Sequence, residues 1–239
     1  MPRPMPRPFT HPLAALKWGL LILIGLFLLT QLWFLGWVLW WKWVPPQETH
    51  FMSLRLAELR QKQPDARLKY QWVPYARISP HLKRAIIAAE DAHFVDHEGF
   101  DWEGIQKALE KNQKRGRFVA GGSTISQQLA KNLFLSPTRS MLRKGEEALI
   151  TLMIETLWDK QRIFEVYLNV IEWGDGVFGA EAAARHYHGI SAAQLNAFQA
   201  ARLAAMVPNP RFYDRNRNAP GLARKTAIIL ARMGGAEMP

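Results

Sequence analysis

The sequence contains no cysteine, and this absence excludes several kinds of chemistry together. Without thiols the chain cannot form disulfides, bind zinc or an iron–sulfur cluster through cysteine, or use a cysteine nucleophile. The lack of cysteine leaves the redox compartment open. Acidic residues are also missing from the first 44 positions, although the same stretch carries four basic residues. The start of the chain therefore has one sign of charge only.

Charged residues are absent from Trp18–Trp41, a run of 24 residues in which only Thr30 and Gln31 are mildly polar. As a helix the run would be roughly 36 Å long, enough to cross a hydrocarbon layer of about 30 Å. It is too long for the apolar core of a typical signal peptide, and no small-residue cleavage site follows it. A buried helix of a soluble protein would show polar positions. We predict a single transmembrane signal anchor over 18–41, ended by Pro45-Pro46.

The charges around this run predict its orientation. Arg3, Arg7 and Lys17 precede it with no acid among them, so residues 1–17 should stay cytoplasmic and residues 45–239 should lie on the other side. The remainder of the chain is basic as well, with a net charge of +7. A basic domain at a bilayer suits anionic lipid head groups or a phosphorylated substrate, and nucleic acid is the rival partner. Charge alone does not choose between them.

Strand signals are scarce after the anchor, and no internal repeat or low-complexity linker interrupts the chain. The sequence therefore predicts one mostly α domain over 45–239. Helix-start signals are Ser79-Pro80, Asp101, Thr124 with Gln127, Asp159, and Ser191 with Gln194. The helix from Asp101 should end near Asn112, the one from Asp159 at Ile171, and the one from Ser191 before Pro208. A further helix is expected over 138–158. An exposed loop over 111–122, a turn at Gly174–Gly179 and a weak strand within 68–78 complete the prediction.

The first segment that could carry chemistry begins at Glu90, near the C-terminal end of an apolar helix. Partial desolvation there raises the pKa of a carboxyl and makes Glu90 usable as an acid or a base. The alternative is an ordinary helix cap or a solvated acid. His93 and His97 have the spacing of a zinc-protease pair, but Phe94 replaces the glutamate of that motif. We do not predict a metal at these histidines.

The second segment is 121–132, GGSTISQQLAKN. Two glycines let the backbone approach a ligand closely, and the helix that follows begins with free N–H groups. Ser123 and Thr124 add hydroxyl groups, and Lys131 follows two turns later. These features suit a phosphate or a sugar, although the segment lacks the P-loop sequence. An ordinary capped helix after a flexible loop explains the pattern equally well.

The third segment places Arg139, Arg143 and Glu147 four residues apart, with Lys144 beside them. This spacing predicts one helix face on which Arg143 and Glu147 can pair. Two guanidinium groups one turn apart repel each other unless an anion such as a pyrophosphate lies between them. A solvated charged surface is the simpler alternative.

Together the three segments resemble the peptidoglycan glycosyltransferases of family 51, which also form the glycosyltransferase domain of class A penicillin-binding proteins. The resemblance covers about Pro74–Tyr213. The Ser-x-x-Lys and Lys-Thr-Gly boxes of a transpeptidase domain are absent, so the chain resembles the monofunctional biosynthetic transglycosylases. Further matching positions are Glu165, Tyr167-Leu168-Asn169, Gly174, Gly179, Ala182-Ala183, Tyr187, Leu203-Ala204, Pro208-Asn209-Pro210 and Tyr213.

The resemblance implies a helical, lysozyme-like domain and an inverting sugar transfer between two lipid-linked substrates. Glu90 would take the proton from the GlcNAc 4-hydroxyl of lipid II, which attacks the growing strand and expels undecaprenyl pyrophosphate. Glu147 matches the second essential acid of the family, and we interpret it as holding Arg143 in place. The resemblance assigns contacts with substrate or pyrophosphate to Ser123, Thr124, Gln127, Lys131, Asn132, Arg139, Arg143 and Lys144.

The implied partners are lipid II, the lipid-linked glycan strand and the membrane. Cell-wall synthesis or division proteins are also expected as partners, whereas nucleic acid is not. The implied location is the bacterial inner membrane, with the catalytic domain on the periplasmic side. The sequence requires no cofactor, and a divalent cation (Mg²⁺ or Mn²⁺) bound near the pyrophosphate is compatible with it. Two alternatives stay open. A lysozyme-like glycan-cleaving enzyme would not need the basic residues, and a non-catalytic basic membrane scaffold would leave Glu90 and Glu147 unexplained.

Overall fold

The computed structural model describes residues 12–116, 121–138 and 140–239, and this part of the chain is mostly α-helical, as predicted. A three-stranded sheet of very short strands completes it. The helices of the described part are α1 Pro12–Trp41, α2 His50–Lys62, α3 Pro80–Glu90, α4 Trp102–Arg115, α5 Ile125–Phe134, α6 Met141–Leu157, α7 Lys160–Val170, α8 Ala180–His188, α9 Ala197–Met206, α10 Pro210–Arg215 and α11 Pro220–Arg232.

The apolar run near the start of the chain forms α1, which begins six residues before the predicted Trp18. Within it, Ala15–Trp41 is long and apolar enough to cross a membrane, and only 6% of its most apolar window is buried against the rest of the protein. A core helix of a soluble protein would be mostly buried, so this exposure fits a helix surrounded by lipid. Arg3 and Arg7, on which the orientation was predicted, lie outside the described residues.

The last turns of α1 pack against the domain. Phe34, Val38 and Trp41 are buried there, and the rings of Phe34 and Trp41 each lie 5.2 Å from the ring of Phe134 on α5. The indole N–H of Trp158 donates a hydrogen bond of 2.8 Å to the carbonyl oxygen of Val38. The helix is therefore docked on the domain by a rigid aromatic contact, beyond its connection through the chain.

Two groups of helices enclose the core. Helix α9 packs against α3 and α11, while α5 packs against both α6 and α7. Their facing side chains are apolar and fully buried, because each helix presents a stripe of hydrophobic residues at helical spacing. The largest fully buried side chains of the core are Trp173, Tyr167, Phe94, Phe164 and Phe178, and they come from the short strands and a turn as well as from α7.

The sheet joins distant parts of the chain. Its strands are β1 Lys69–Tyr70, β2 Glu172–Gly174 and β3 Val177–Phe178, in the order β1-β3-β2. Strand β3 runs parallel to β1 and antiparallel to β2. The predicted glycine turn is confirmed as the β2–β3 hairpin. Gly179 follows it at a φ of +82°, and an added Cβ would lie 2.6 Å from the Asn169 carbonyl oxygen, so the position requires glycine.

Most predicted helix starts are confirmed by their capping bonds. Ser79 and Asp159 each accept a backbone N–H of the following helix, Asp101 accepts the N–H of Gly104, and Thr124 with Gln127 forms a complete capping box. These signals are local, because a short polar side chain just before an apolar helix satisfies free N–H groups whatever surrounds it.

Several predicted boundaries were wrong. Helix α4 continues to Arg115, so the beginning of the predicted loop 111–122 is helical, and residues 117–120 lie outside the described part. Helix α6 begins at Met141, after the cap Ser140, and not at position 138. The predicted strand within 68–78 shrinks to two residues.

The predicted start of the helix after Ser191 was wrong. Ser191 and Gln194 cap only a 3₁₀ turn over Ala192–Gln194. The backbone becomes extended at Leu195, whose side chain is buried, and Asn196 then caps α9. Burial of Leu195 in the core therefore overrides the local continuation of the helix.

Candidate active site

Glu90 is the last residue of α3, a helix whose Leu82, Ile86 and Ile87 are fully buried. The Glu90 side chain is half-buried at the surface of this core. Burial raises the pKa of Glu90, while a hydrogen bond from Gln128 and the positive charges of Lys225 and Lys131 act in the opposite direction. A carboxylate in this environment is a stronger proton acceptor than a solvated one.

Gln128 and Tyr167 fix the orientation of Glu90. The Gln128 Nε2 group donates to Glu90 Oε2 at 2.9 Å, and the Tyr167 hydroxyl donates to Gln128 Oε1 at 3.0 Å. Burial raises the pKa of Tyr167 well above its usual value, so the hydroxyl keeps its proton and remains a donor. Because Gln128 Oε1 accepts from Tyr167, its NH₂ group must turn toward Glu90. The sequence analysis missed both residues as site residues, although they stand within the matching segments.

A second hydrogen-bond chain ties the end of α3 to the start of α5. His97 Nε2 lies 3.0 Å from Asp91 Oδ1, and Asp91 Oδ2 accepts the backbone N–H of Ile125 at 2.9 Å. The backbone N–H of Gly99 donates to His97 Nδ1 at 3.1 Å, so the proton of the neutral ring resides on Nε2. His97 thus has a structural partner on each ring nitrogen.

A cavity of about 560 Å³ lies between α5 and α6 and contains three cationic groups and one carboxylate. Glu147 is buried at 3% exposure, accepts from Arg143 Nη1 at 2.8 Å, and also accepts from Lys144 Nζ. The predicted pairing of Arg143 with Glu147 is confirmed. We call this space the cation cavity; its lining residues are Ser123, Gln127, Gln128, Lys131, Ser140, Met141, Arg143, Lys144 and Glu147.

Lys131 projects from α5 into the cation cavity and is largely covered by protein. Burial lowers the pKa of Lys131, Glu147 and Glu90 raise it, and Arg143 and Lys144 lower it. The cavity has an excess of positive charge because Glu147 is the single carboxylate among its described lining residues. Such a site suits an anion that carries more than one negative charge.

Two smaller cavities adjoin the cation cavity. Glu90 lines one of about 180 Å³, which shares Ser123 with the cation cavity. The other, of about 390 Å³, shares Gln128 and Lys131 with the cation cavity, and we call it the second cavity. Since Gln128 also bonds to Glu90, the Glu90 carboxylate and the cations lie close together around the first turns of α5.

The second cavity contains charged residues that the sequence analysis missed. Arg55 of α2 donates to Glu172 of β2 at 3.1 Å, and Arg211 of α10 also lines this space. Burial raises the pKa of Glu172 to about 7, and the charges of Arg55 and Arg211 limit the increase. Asn132, a predicted substrate contact, lines the second cavity and not the cation cavity. No local signal could reveal this cavity, because its walls come from four distant segments.

The predicted contacts in 121–132 have different positions. Ser123 is exposed where the Glu90 cavity and the cation cavity meet. Gln127 lines the cation cavity, but its Oε1 accepts the backbone N–H of Thr124 at 3.1 Å. Thr124 is buried, donates to the Gly99 carbonyl oxygen at 2.7 Å, and lines none of these three cavities. The structure therefore gives Thr124 a role in shaping the start of α5.

Arg139 lies outside the described residues. Helix α6 begins at Met141, with Ser140 as its N-cap, and carries Arg143, Lys144 and Glu147. The part of the prediction that concerns Arg139 therefore lies outside the described residues and stays a prediction.

Comparisons with known proteins identify the family of the chain. A family model described as Transglycosylase matches residues 57–234. A biosynthetic peptidoglycan transglycosylase of Dechloromonas aromatica (strain RCB) is 79% identical over 224 residues, which cover 94% of this chain and 97% of the relative. A protein of the same name from Laribacter hongkongensis (strain HLHK9) is 63% identical over 227 residues, which cover 94% of this chain and 100% of the relative. The same name belongs to a relative from Chromobacterium violaceum, 63% identical over 217 residues, covering 91% and 95%. The chain belongs to the transglycosylase family.

Proposed function

We propose that this chain is a biosynthetic peptidoglycan transglycosylase that polymerises lipid II into glycan strands and releases undecaprenyl pyrophosphate. The observation that carries the proposal is the placement of Glu90, a carboxylate held by Gln128, beside a cavity with excess positive charge. The reaction needs both features, a proton acceptor for the attacking hydroxyl and cations for the leaving group. The names of the relatives support the same reaction.

Glu90 acts as the general base. Its carboxylate takes the proton from the 4-hydroxyl of the acceptor GlcNAc, and the oxygen attacks the anomeric carbon of the donor. The attack comes from the side opposite the pyrophosphate, and the bond from the anomeric carbon to the pyrophosphate oxygen breaks with its electron pair leaving on that oxygen. The configuration at the carbon therefore inverts. The raised pKa of Glu90 improves proton transfer, while the Gln128 hydrogen bond and the charges of Lys225 and Lys131 favour the ionised form and limit the increase.

The cation cavity receives the pyrophosphate. Negative charge accumulates on the leaving oxygen as the glycosidic bond breaks, and fixed cations at that place lower the barrier. Lys131, Arg143 and Lys144 supply this charge. Glu147 positions Arg143 and Lys144 by accepting from both, and it does not carry the proton. Arg139 joins these residues on the basis of its place in the family pattern.

Sugar units occupy the spaces on either side of the cation cavity. Ser123 and Gln127 border the cation cavity near Glu90, and Asn132 lies in the second cavity. Amides, carboxylates and guanidinium groups provide the paired donors and acceptors that sugar hydroxyls need. The acceptor sugar then lies by Glu90 and the growing strand extends along the groove. Thr124 contributes by fixing the segment that carries Ser123.

Helix α1 anchors the enzyme in the bacterial inner membrane, with residues 1–17 in the cytoplasm, 18–41 in the bilayer, and the domain at 45–239 in the periplasm. Both substrates carry polyprenyl chains, so the reaction takes place at the bilayer surface, where a tether raises the effective concentration. Cell-wall synthesis or division proteins are expected partners there. The basic surface serves lipid phosphates and not nucleic acid.

The described residues do not form a protein-bound metal site. In the parts of the chain that the structure describes, no group of three His, Asp or Glu side chains could hold an ion. Glu147, the carboxylate of the cation cavity, already bonds to two cationic side chains. The proposed steps therefore use the charges of the chain itself and are routed through no Mg²⁺ or Mn²⁺ ion.

Polymerisation of labelled lipid II by the purified, detergent-solubilised chain tests the proposal. Long glycan products and released undecaprenyl pyrophosphate support it. Digestion of isolated sacculi to short fragments, without polymer from lipid II, supports a lysozyme-like enzyme instead. That alternative has no use for the cation cavity, since cleavage of a neutral glycan expels no pyrophosphate.

A further inference from the structure

The anchor helix contains one polar side chain that contacts the domain. Gln31 Nε2 donates to Glu146 Oε1 on α6 at 2.7 Å. Gln31 stands ten residues before the end of α1, a rise of about 15 Å. Its own Oε1 is buried and has no partner among the described residues. A leucine would suit a lipid-facing helix better, so the presence of glutamine at this position calls for a reason other than anchoring.

The partner of Gln31 is adjacent to the acid of the cation cavity. Consecutive residues of an α-helix point about 100° apart. Glu146 therefore faces the anchor, while Glu147 faces the cation cavity and holds Arg143 and Lys144. The bond between Gln31 and Glu146 thereby restrains the rotation of α6 about its own axis. A small rotation of α6 would move together the three charged groups that this helix contributes to the cavity.

The anchor also contacts the other wall of the cation cavity. Phe134 ends α5 one turn after Lys131, and it packs against Phe34 and Trp41 of the anchor. At the end of α1 the Arg162 guanidinium donates to the Trp41 carbonyl oxygen at 2.6 Å. This places a cation at the helix C-terminus, where the helix dipole favours it. The anchor is thus docked to α5, α6 and α7 and cannot turn independently of them.

We propose that Gln31 is a positioning residue: its bond to Glu146 sets α6 so that Arg143, Lys144 and Glu147 are placed for the leaving pyrophosphate. The anchor then contributes to the chemical step and does more than hold the enzyme at the bilayer. This inference rests on the proposed function of the cation cavity. It also predicts that the anchor affects the rate of polymerisation when the enzyme is dispersed in detergent, where tethering to a bilayer gives no advantage.

The experiment is a set of variants of the full chain in detergent micelles, with lipid II as substrate. Gln31→Leu removes the donor, and Gln31→Glu places two carboxylates together. We expect each to lower kcat by about fivefold with little change in KM, because the leaving-group site is disturbed. Glu146→Gln keeps an acceptor oxygen and should retain activity. Thr30→Leu is the matched control, because the Thr30 hydroxyl bonds only within α1, to the Leu26 carbonyl oxygen.

The decisive variant combines Gln31→Glu with Glu146→Gln. This exchange puts the carboxylate on α1 and the amide on α6, so the hydrogen bond reforms with the opposite polarity. We expect kcat to return to within about twofold of the original chain. A loss in Gln31→Glu that does not arise from the contact with Glu146 would not be repaired by Glu146→Gln, and melting curves in detergent identify any unfolded variant.

Wild-type kcat in Gln31→Leu, or a failure of the exchange to rescue a folded Gln31→Glu chain, would overturn the inference. These results leave the proposed function intact provided that Glu90→Gln is inactive. An active Glu90→Gln chain would instead remove the assignment of the base, whatever the Gln31 variants do.

Discussion

Gln128 donates a hydrogen bond of 2.9 Å to Glu90, and this bond links the proposed base to the wall of the cation cavity. Gln128 stands on α5, one turn before Lys131, so a single helix carries the partner of the base and a cation for the leaving group. Tyr167 holds the Gln128 amide in the required orientation. The proposed base and the proposed leaving-group cation are thereby held in fixed relation by one helix.

The first prediction concerns the pKa of Glu90. The Gln128 bond lowers this pKa, so Gln128→Ala should raise it and move the acidic limb of the kcat/KM profile to higher pH. We expect activity on the acidic limb to fall, because at each pH there a larger fraction of Glu90 is protonated. The measurement is the pH–rate profile with lipid II. Tyr167→Phe should shift the limb less, since the hydrogen bond from the Gln128 amide to Glu90 survives. An unmoved limb in a folded Gln128→Ala chain would contradict the account.

The second prediction concerns the cations. Lys131→Ala and Arg139→Ala should each slow polymerisation at least tenfold, which corresponds to about 1.4 kcal/mol of transition-state stabilisation. Lys107→Ala serves as the control, because Lys107 is exposed and pairs with Glu103 one turn away on α4. Steady-state rates of glycan synthesis measure the effect. Near-normal rates in both site variants would contradict the assignment of pyrophosphate binding to Lys131 and Arg139.

The third prediction separates positioning from proton transfer. Glu147→Gln leaves Arg143 and Lys144 without their carboxylate, so kcat should fall by tenfold or more. The acidic limb of the pH profile should stay where it is, because Glu147 does not carry the proton. Glu146→Gln, at the next position of α6, is the matched control. A shift of the limb in Glu147→Gln would show that Glu147 takes part in proton transfer.

The fourth prediction links Glu172 to stability. Its pKa rises from 4.5 to about 7 on folding, mainly through burial. The folded state therefore binds the proton more tightly, and this contribution to stability is complete below about pH 4.5 and is lost as the pH rises through 7. Melting temperatures in detergent between pH 4.5 and 8 should fall less steeply for Glu172→Gln than for the original chain. Glu110→Gln is an exposed control on α4, away from Arg55 and Arg211, and equal slopes for Glu172→Gln and the original chain would refute the prediction.

Local signals in the sequence predicted much of the fold. Caps such as Ser79, Asp101 and Asp159 act on the next turn of chain, so their effect does not depend on distant residues. The capping box at Ser191 shows the limit of such signals. Its turn stops at Leu195, because the core buries that side chain and redirects the chain. Tertiary packing decides such cases.

The candidate site was predictable only in part. Glu90 and Lys131 stand in recognisable segments, and the Arg143–Glu147 pair follows from helical spacing. The second cavity brings Arg55 to Glu172, 117 positions away, and no pattern within either segment indicates this contact. The bond from Gln31 to Glu146 spans 115 positions. Contacts of this kind depend on how helices pack, which composition and periodicity leave undetermined.

The most direct test of the central claim is the polymerisation of labelled lipid II by Glu90→Gln. The amide is nearly the same size as the carboxylate and can still accept from Gln128, so the fold should persist, and Glu98→Gln provides an exposed acid from the same segment as the control. We predict no glycan polymer from Glu90→Gln, an unchanged melting temperature, and normal synthesis by Glu98→Gln. Polymer formed by Glu90→Gln at a rate near that of the original chain would contradict the assignment of Glu90 as the base.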